Sequence, residues 1–278
     1  MPGPPRPSEG TPPVALTIAG SDSGGGAGAQ ADLKTFAAHR VHGTSALTAV
    51  TAQNTAAVRG VVALEAGFVR LQVETVLDDL EVRSVKTGML ATPDMVEMVA
   101  DLAAAGRLPQ LVVDPVLVST SGQALMDPDG VKAYLVRLLP HALVVTPNLR
   151  EAAALTGTDV AALRSVDAMA AAAVQIKATG ARYVVVKGGH LADAAHDVVA
   201  GPDGITVLEG VRVATGNDHG TGCSLSAAIA AHLAHGATVP DAIRGSKAFV
   251  ARGLSGAAGW QLGAGHGPID HFGWSGST

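Results

Sequence analysis

The sequence predicts an α/β protein with a mainly parallel central sheet covered on both faces by helices. Short apolar runs rich in β-branched residues alternate with longer segments in which apolar residues recur at helical spacing. The 278-residue length suits one large domain or two small ones. No internal repeat and no linker interrupts the alternation, so we expect a single domain over residues 14–278.

The first apolar runs and helical segments define the elements in order. We predict strands at Val14–Ala19, Leu47–Thr51, Val82–Thr87, Leu111–Asp114, Leu143–Thr146 and Tyr183–Lys187, followed by a hairpin of Ile205–Leu208 with Val211–Ala214. We predict helices through Ala29–Ala37 and Val69–Leu80, and at about 93–105, 128–139, 150–156, 165–179, 222–235 and 240–258.

Composition narrows the class of protein. Residues 1–13 are proline-rich and lack the apolar core of a signal peptide, so we expect a disordered tail. No stretch is apolar enough to span a membrane, and a single cysteine suits a reducing compartment, which predicts a cytoplasmic protein. The net charge of -5 and the 3% of aromatic residues argue against a nucleic-acid-binding surface.

Polar residues follow several predicted strands at the point where each strand ends. Asp114, Asn148 and Lys187 come at or just after three of them, and Gln53 follows another apolar run. In an open parallel sheet, ligands bind in the crevice outside the carboxyl ends of the strands. We therefore expect these four side chains to share one crevice.

The first strand leads into a glycine-rich loop, GSDSGGGAGA, at residues 20–29. Its loose GxGxxA pattern needs an acidic residue about 20 positions later to bind a dinucleotide ribose, but the next one after Asp32 is Glu65. A Walker A loop is excluded because the chain has no Gly-Lys pair. The loop could wrap a small flat ligand, with Asp32 and Gln53 as hydrogen-bonding groups, or it could be a tight turn with Asp32 near a helix N-terminus.

Four further residues fit a phosphoryl-transfer site, each with a structural alternative. Asp114 could hold Mg²⁺ or belong to a turn before Pro115. Asn148 and Glu151 have the spacing of a helix capping box. Lys187 could bind a phosphate or a structural carboxylate.

The only cysteine, Cys223, lies in the stretch NDHGTGCS, which opens an alanine-rich helix. A helix N-terminus can lower the pKa of a thiol and so produce a usable base, although free cysteines more often pack as small apolar residues. The N–H groups of Gly220, Thr221 and Gly222 would stabilise charge on a transferring phosphoryl group. The turn therefore has the parts that phosphoryl transfer requires.

Eight collinear segments closely resemble the hydroxymethylpyrimidine/phosphomethylpyrimidine kinases, within the ribokinase-like superfamily. They are LTIAGSDSGGGAGAQADLKTF, TAVTAQNT, VKTGML, VVDPV, TPNLREAAALTG, VVVKGGH, HGTGCSLSAAIA and GHGPIDHF, and they run from about residue 14 to 272. The resemblance implies a three-layer αβα sandwich, a homodimer, and ATP- and Mg²⁺-dependent phosphorylation of 4-amino-5-hydroxymethyl-2-methylpyrimidine and then of its monophosphate.

The resemblance also implies roles for individual residues. Gln53, Asp32 and Met89 would contact the pyrimidine; Asp114 and Glu151 would organise Mg²⁺ and phosphates. Lys187, Asn148 and Thr221 would meet the ATP phosphates, and the Gly220-Thr221-Gly222 turn would form the anion hole with Cys223 as base.

The sequence differs from the resembling family at two positions, and two alternative functions stay open. Gly216 and Asp218 stand where the resembling family usually has lysine and threonine, and Asp218 is the second candidate for the base. A pyridoxal kinase of the same branch shares the GTGC turn, but Gln53 and the GML segment favour an aminopyrimidine. A catalytically silent pyrimidine sensor would have little use for Asp114, Glu151, Lys187 and Cys223.

Overall fold

The computed structural model describes residues 10–118, 125–189 and 195–276. The strands are β1 Val14–Ala19, β2 His42–Leu47, β3 Ala49–Gln53, β4 Val58–Ala63, β5 Val82–Thr87, β6 Val112–Val113, β7 Val144–Val145, β8 Tyr183–Val186, β9 Asp197–Gly201 and β10 Gly204–Leu208. The helices are α1 Gly28–Ala38, α2 Ala66–Asp79, α3 Pro93–Ala104, α4 Pro128–Ala133, α5 Leu149–Thr156, α6 Val166–Lys177, α7 Thr221–Ala234 and α8 Val239–Ala257.

The main sheet has eight strands in the order β10-β9-β8-β7-β6-β5-β1-β2. The six neighbouring strands β8, β7, β6, β5, β1 and β2 pair in parallel, whereas β9 and β10 add an antiparallel edge. The chain order changes direction around β1, which lies between β2 and β5, and such switch points are where open α/β sheets bind ligands. The predicted parallel sheet is confirmed.

Helices cover both faces of the sheet and make a three-layer αβα sandwich. On one face, α1, α7 and α8 pack over a core that includes Phe36, Val112, Val144 and Ile229. On the other face, α2 to α6 pack over a larger core centred on the apolar side chains of Val85, Tyr134, Val145 and Ile176. Burial of each large apolar side chain contributes about 1.5–3 kcal/mol.

Helix α7 is buried almost all round, from Ser224 to Ala231. Its alanines let it lie close to the sheet and to α8, and a helix that is apolar on every side belongs in a core. The N-terminus of α7 is therefore held rigidly against the crevice.

Two predicted strands are wrong. The run predicted at Leu47–Thr51 is divided between β2 and β3, because the chain leaves the main sheet there and β3 pairs with β4 in a separate two-stranded sheet. The edge hairpin joins β9 to β10, not Ile205–Leu208 to Val211–Ala214, because the tight turn falls at Pro202-Asp203. The helix predicted at 128–139 begins as α4 and continues as a π-helical turn, Tyr134–Leu138.

The tail expected over residues 1–13 lies largely outside the described residues. Just before β1, Pro13 O accepts a hydrogen bond from the N–H of His42, at the start of β2. Among the helices of the described ranges, none combines the length and apolar character that a membrane crossing requires.

Candidate active site

The GTGC turn forms the N-terminus of α7, as predicted. Gly220 is the N-cap residue with φ of +81°, and a Cβ at this position would collide with the carbonyl oxygen of Gly26. Only glycine fits both the left-handed backbone and this close approach. The N–H of Thr221 donates to Asp218 O at 3.3 Å, whereas the N–H groups of Gly222 and Cys223 have no partner within the described residues and stay available to an anion.

The first glycine-rich loop is pinned to this turn by Asp22. The two carboxylate oxygens of Asp22 accept hydrogen bonds from the N–H groups of Gly24, Gly26 and Ala27, and from Nε2 of His219 at 2.9 Å. Burial alone would raise the pKa of Asp22, but these donors outweigh it and lower that pKa. The two loops thus form one wall, and the hydrogen bond between His219 and Asp22 links them.

Two buried ion pairs lie beside the N-terminus of α7. Lys86 Nζ is 2.7 Å from Asp32 Oδ2, and both side chains are 0% exposed. Lys187 Nζ donates to Asp114 Oδ1 at 2.9 Å, with little of either side chain exposed. A Cβ added to Gly222 would lie 3.1 Å from Lys187 Nζ, so the turn touches the second pair.

The structure thereby brings Asp114, Lys187 and the GTGC turn together, as strand-end placement predicts. Asp114 Oδ1 also accepts from Thr146 Oγ1 at 3.1 Å, and Oδ2 accepts from Ser226 Oγ on α7 at 3.3 Å. Burial would raise the pKa of Asp114, but the charges of Lys187 and Lys86 lower it, so this carboxylate stays ionised.

Sequence reasoning assigned no role to Lys86. The available signal was a lysine inside the otherwise uncharged second half of β5, Ser-Val-Lys-Thr, where a buried strand should be apolar. Burial would lower the pKa of Lys86, but the charges of Asp32, Cys223 and Asp114 raise it above its usual range. Lys86 is therefore a permanent cation inside the fold.

Asp32 is the most deeply buried of the three predicted pyrimidine contacts. The sequence suggested direct contact with a flat ligand, yet its side chain is fully buried and holds Lys86 and Thr17 on Oδ2. Burial raises the pKa of Asp32 despite the Lys86 charge. Its other oxygen, Oδ1, is buried without a hydrogen-bond partner in the described part of the chain.

The lowered thiol pKa predicted for Cys223 is wrong. The half-buried Cys223 has its pKa raised to about 11, because burial disfavours the thiolate and the charges of Asp32 and Asp114 add to that effect. Lys86 and the N–H of Gly28 act in the opposite direction but are weaker. At this site desolvation outweighs the helix N-terminus.

Asn148 and Glu151 form the capping box of α5, the structural alternative raised by their spacing. Asn148 Oδ1 accepts from the N–H of Glu151 at 3.0 Å, and Glu151 Oε2 accepts from the N–H of Asn148 at 2.7 Å. Burial raises the pKa of Glu151 to about 8, with Lys187 lowering it and Asp114 raising it. Glu151 is thus close enough to Asp114 to interact electrostatically while also capping the helix.

Mg²⁺ fits the chemistry of these two carboxylates. The described residues contain no group of three or more His, Cys, Asp or Glu side chains placed to hold a metal. Mg²⁺ seldom needs such a cage, since it usually takes one or two carboxylates and completes its shell with water and substrate phosphates. Asp114 and Glu151 supply hard oxygen ligands of that kind.

Gln53 and Met89 lie beside the glycine-rich loop that follows β1. Gln53 Nε2 is 3.4 Å from His219 Nε2, at the edge of a cavity that is also lined by Ser23 and Arg59. Met89 is half-buried, and a Cβ on Gly20 would collide with its methyl group, so Gly20 makes room for this side chain. Asp218, the second candidate for the base, pairs through Oδ1 with His266 Nδ1 at 2.7 Å on the exposed side of the turn.

Comparison with known proteins identifies the family of this chain. The phosphomethylpyrimidine kinase family matches residues 22–270. A hydroxymethylpyrimidine/phosphomethylpyrimidine kinase from Rhizobium meliloti is 49% identical over 261 residues, which cover 93% of this chain and 97% of the relative.

Solved structures with the same fold include pyridoxal kinases. An ADP complex of Bacillus subtilis pyridoxal kinase is 40% identical, with a TM-score of 0.84 over 94% of this chain and 98% of the other. A Staphylococcus aureus pyridoxal kinase in complex with AMP-PCP and pyridoxal is 36% identical, with a TM-score of 0.85 over 95% of both chains. These likenesses agree with the sandwich described above.

Proposed function

Because the chain belongs to the phosphomethylpyrimidine kinase family, we propose that it phosphorylates 4-amino-5-hydroxymethyl-2-methylpyrimidine and then its monophosphate, with ATP as donor, in thiamine biosynthesis. Membership of this family makes the chain a phosphotransferase. The observation that carries the proposal is the contact between the GTGC turn and the Lys187–Asp114 pair, which sets free N–H groups beside a buried cation.

The turn stabilises the charge that develops on the transferring phosphoryl group. The N–H groups of Gly222 and Cys223 are directed out of the first turn of α7, and Gly220 and Thr221 shape the approach to them. Lys187 adds a fixed positive charge, and Asn148 lies one strand end away, bridged to it in parallel register. Such preorganised donors stabilise the developing charge without having to move, and phosphoryl transfer depends on this combination of positioning and electrostatic stabilisation.

Mg²⁺ would be held by Asp114 and Glu151, and when bound it neutralises the charge on the ATP phosphates. Asp114 is kept ionised for this role by Lys187. The hydrogen bond from the N–H of Asn148 orients the Glu151 side chain, so its position does not depend on the metal.

Cys223 accepts the proton of the attacking hydroxyl in this proposal. The proton is accepted by the thiolate form of Cys223. Because the pKa of the thiol is raised, the thiolate is a stronger base but is present in fewer molecules at neutral pH. We therefore expect turnover to increase with pH. The pyrimidine lies on the Gln53 side of the turn, with Met89 against its ring and Asp32 Oδ1 as a buried acceptor.

ADP release by the purified protein tests the proposal. Mg-ATP is supplied with hydroxymethylpyrimidine, its monophosphate or pyridoxal in separate reactions, and each product is identified by mass. We expect activity on both pyrimidines and little on pyridoxal. Preference for pyridoxal, which the 36–40% identity to pyridoxal kinases makes the second candidate, would reassign the substrate. Pyrimidine binding without turnover would instead favour the sensor.

We further propose a cytoplasmic homodimer that associates through the outward face of the β3–β4 sheet. Val50 and Val62 are cross-strand neighbours on that face and are 46% and 66% exposed. The opposite face carries the buried Ala49 and Thr51 toward the body of the protein. An isolated two-stranded sheet is marginal in water, so cover by a second copy would stabilise it.

A further inference from the structure

A cluster of largely buried charged residues near the site consists of Asp32, Lys86, Asp114, Glu151 and Lys187. Of these five, only Lys86 has no role in the proposed function. Its side chain is 0% exposed and its ammonium contacts Asp32. A buried ion pair is costly to desolvate, and apolar residues of similar volume often serve stability as well or better. Stability alone therefore does not explain a lysine in the middle of a parallel sheet.

The geometry around Asp32 supplies an explanation. Lys86 Nζ at 2.7 Å and Thr17 Oγ1 at 2.6 Å both bind Oδ2, so the two donors act on a single carboxylate oxygen. Oδ1 is left buried and without a partner in the described ranges. Buried acceptors are nearly always satisfied in native proteins, so an orphan beside a binding site points to a ligand donor.

The backbone around Lys86 is adapted to its ammonium group. A Cβ added to Gly88 would lie 2.8 Å from Lys86 Nζ and 3.0 Å from the Cβ of Ala19. Any larger residue at position 88 would crowd the ion pair against β1. The space for a charged lysine end is thus built into the end of β5.

We propose that Lys86 is a positioning residue for the pyrimidine. It holds Asp32 by Oδ2, so that Oδ1 stays free to accept a hydrogen bond from the exocyclic amino group of the ring. This inference rests on the proposed function, because it assumes an aminopyrimidine substrate. In pyrimidine binding, Lys86 does not touch the substrate and acts through Asp32.

A double-mutant cycle tests this inference, with Lys86→Met, Asp32→Asn and the double variant. Steady-state kinetics give KM for the pyrimidine and for ATP, and calorimetry gives pyrimidine binding without turnover. We expect Lys86→Met to weaken pyrimidine binding by about 10- to 100-fold, the scale of one charge-assisted hydrogen bond. KM for ATP should change by less than about 2-fold, because the anion hole and Lys187 are untouched.

The matched control is Lys247→Met, which breaks another largely buried lysine-aspartate pair. Lys247 Nζ lies 2.6 Å from Asp197 Oδ2, between α8 and β9. We expect this variant to lose thermal stability as Lys86→Met does but to keep the wild-type KM for the pyrimidine. An equal loss of pyrimidine affinity in both variants would mean that Lys86 acts through general stability, and would overturn the inference.

The double variant keeps the test decisive if Lys86→Met does not fold, since removing both charges leaves no unpaired ion in the core. If Lys86 acts only through Asp32, the double variant should bind the pyrimidine as Asp32→Asn does. A further, additive loss would show a separate role for Lys86 and overturn the inference. A wild-type protein inactive on both pyrimidines would overturn the proposed function together with it, whereas an active wild type with unchanged Lys86→Met affinity overturns the inference alone.

Discussion

At the scale of single residues, Cys223 is subject to opposing influences. Its place in the first turn of α7 and the nearby Lys86 favour the thiolate, whereas burial and two carboxylates favour the thiol. The balance raises the pKa to about 11. A motif at a helix N-terminus therefore does not by itself predict an acidic thiol, since the desolvation cost depends on what packs around it.

Alkylation of the single thiol measures this balance directly. Because Cys223 is the only cysteine, the rate of iodoacetamide modification against pH reports one group. We expect the rate to rise steeply above pH 9 and to reach half its maximum near pH 11, since only the thiolate reacts. A midpoint at or below about 8.5, the value of a free cysteine, would mean that the helix N-terminus dominates.

Turnover tests the assignment of the base. We expect Cys223→Ala to lower kcat by about 10²- to 10⁴-fold, as for loss of a general base. Asp218→Asn is the matched variant, since the Asp218 carboxylate is half-exposed and paired with His266. It should keep near-normal kcat. The opposite pattern in two folded variants would transfer the role to Asp218.

At the scale of elements, the site depends on two loops held in contact. The loop after β1 is organised by Asp22, and the turn before α7 approaches it so closely that Gly220 has no room for a side chain. His219 joins them through its bond to Asp22. The anion hole is thus held in place by the junction of two segments almost 200 residues apart in sequence.

Gly220→Ala should disrupt this junction. The new Cβ would meet the Gly26 carbonyl in addition to the strain of φ at +81°. Gly236→Ala is the control, because Gly236 has φ of +84° with nothing within 4 Å of an added Cβ. We expect the control to lose about 1 kcal/mol of stability and keep its activity. Gly220→Ala should lose more stability and most of its kcat, measured by thermal unfolding and ADP release; equal behaviour of the two variants would contradict the close-contact account.

At the scale of the whole molecule, the sheet gathers the site and leaves one face of the β3–β4 sheet uncovered. Asp114, Asn148 and Lys187 follow adjacent parallel strands, so their side chains reach the same edge. The β3–β4 sheet leaves the main sheet after β2 and carries Gln53 at the end of β3. An assembly that covers the outer face of β3 and β4 would therefore also steady one side of the proposed substrate pocket.

Val62→Glu tests that assembly. A charge on the outward face should oppose burial against a second copy and shift the protein from dimer to monomer in sedimentation velocity runs. Val174→Glu is the control, since Val174 is 52% exposed on α6, away from the sheet. It should leave the oligomeric state unchanged. A monomeric wild-type protein would mean that there is no homodimer. A Val62→Glu variant that remains dimeric would mean that the interface lies elsewhere.

The sequence by itself determined the alternation of strands and helices and the polar residues at several strand ends. Periodicity, caps and glycine turns are local signals, so β1, β5, α5 and the GTGC turn follow from short stretches read alone. The resemblance carried by eight such stretches also identified the family.

Only the tertiary structure decided which groups are buried and what they meet. The Asp32–Lys86 pair joins residues 54 positions apart, and the raised pKa of Cys223 depends on neighbours from α1, β5 and the end of β6. The hairpin misplaced by the sequence depends likewise on which strand extends the sheet edge. Desolvation and charge pairing are properties of the packed interior, because they sum contributions that no sequence window contains.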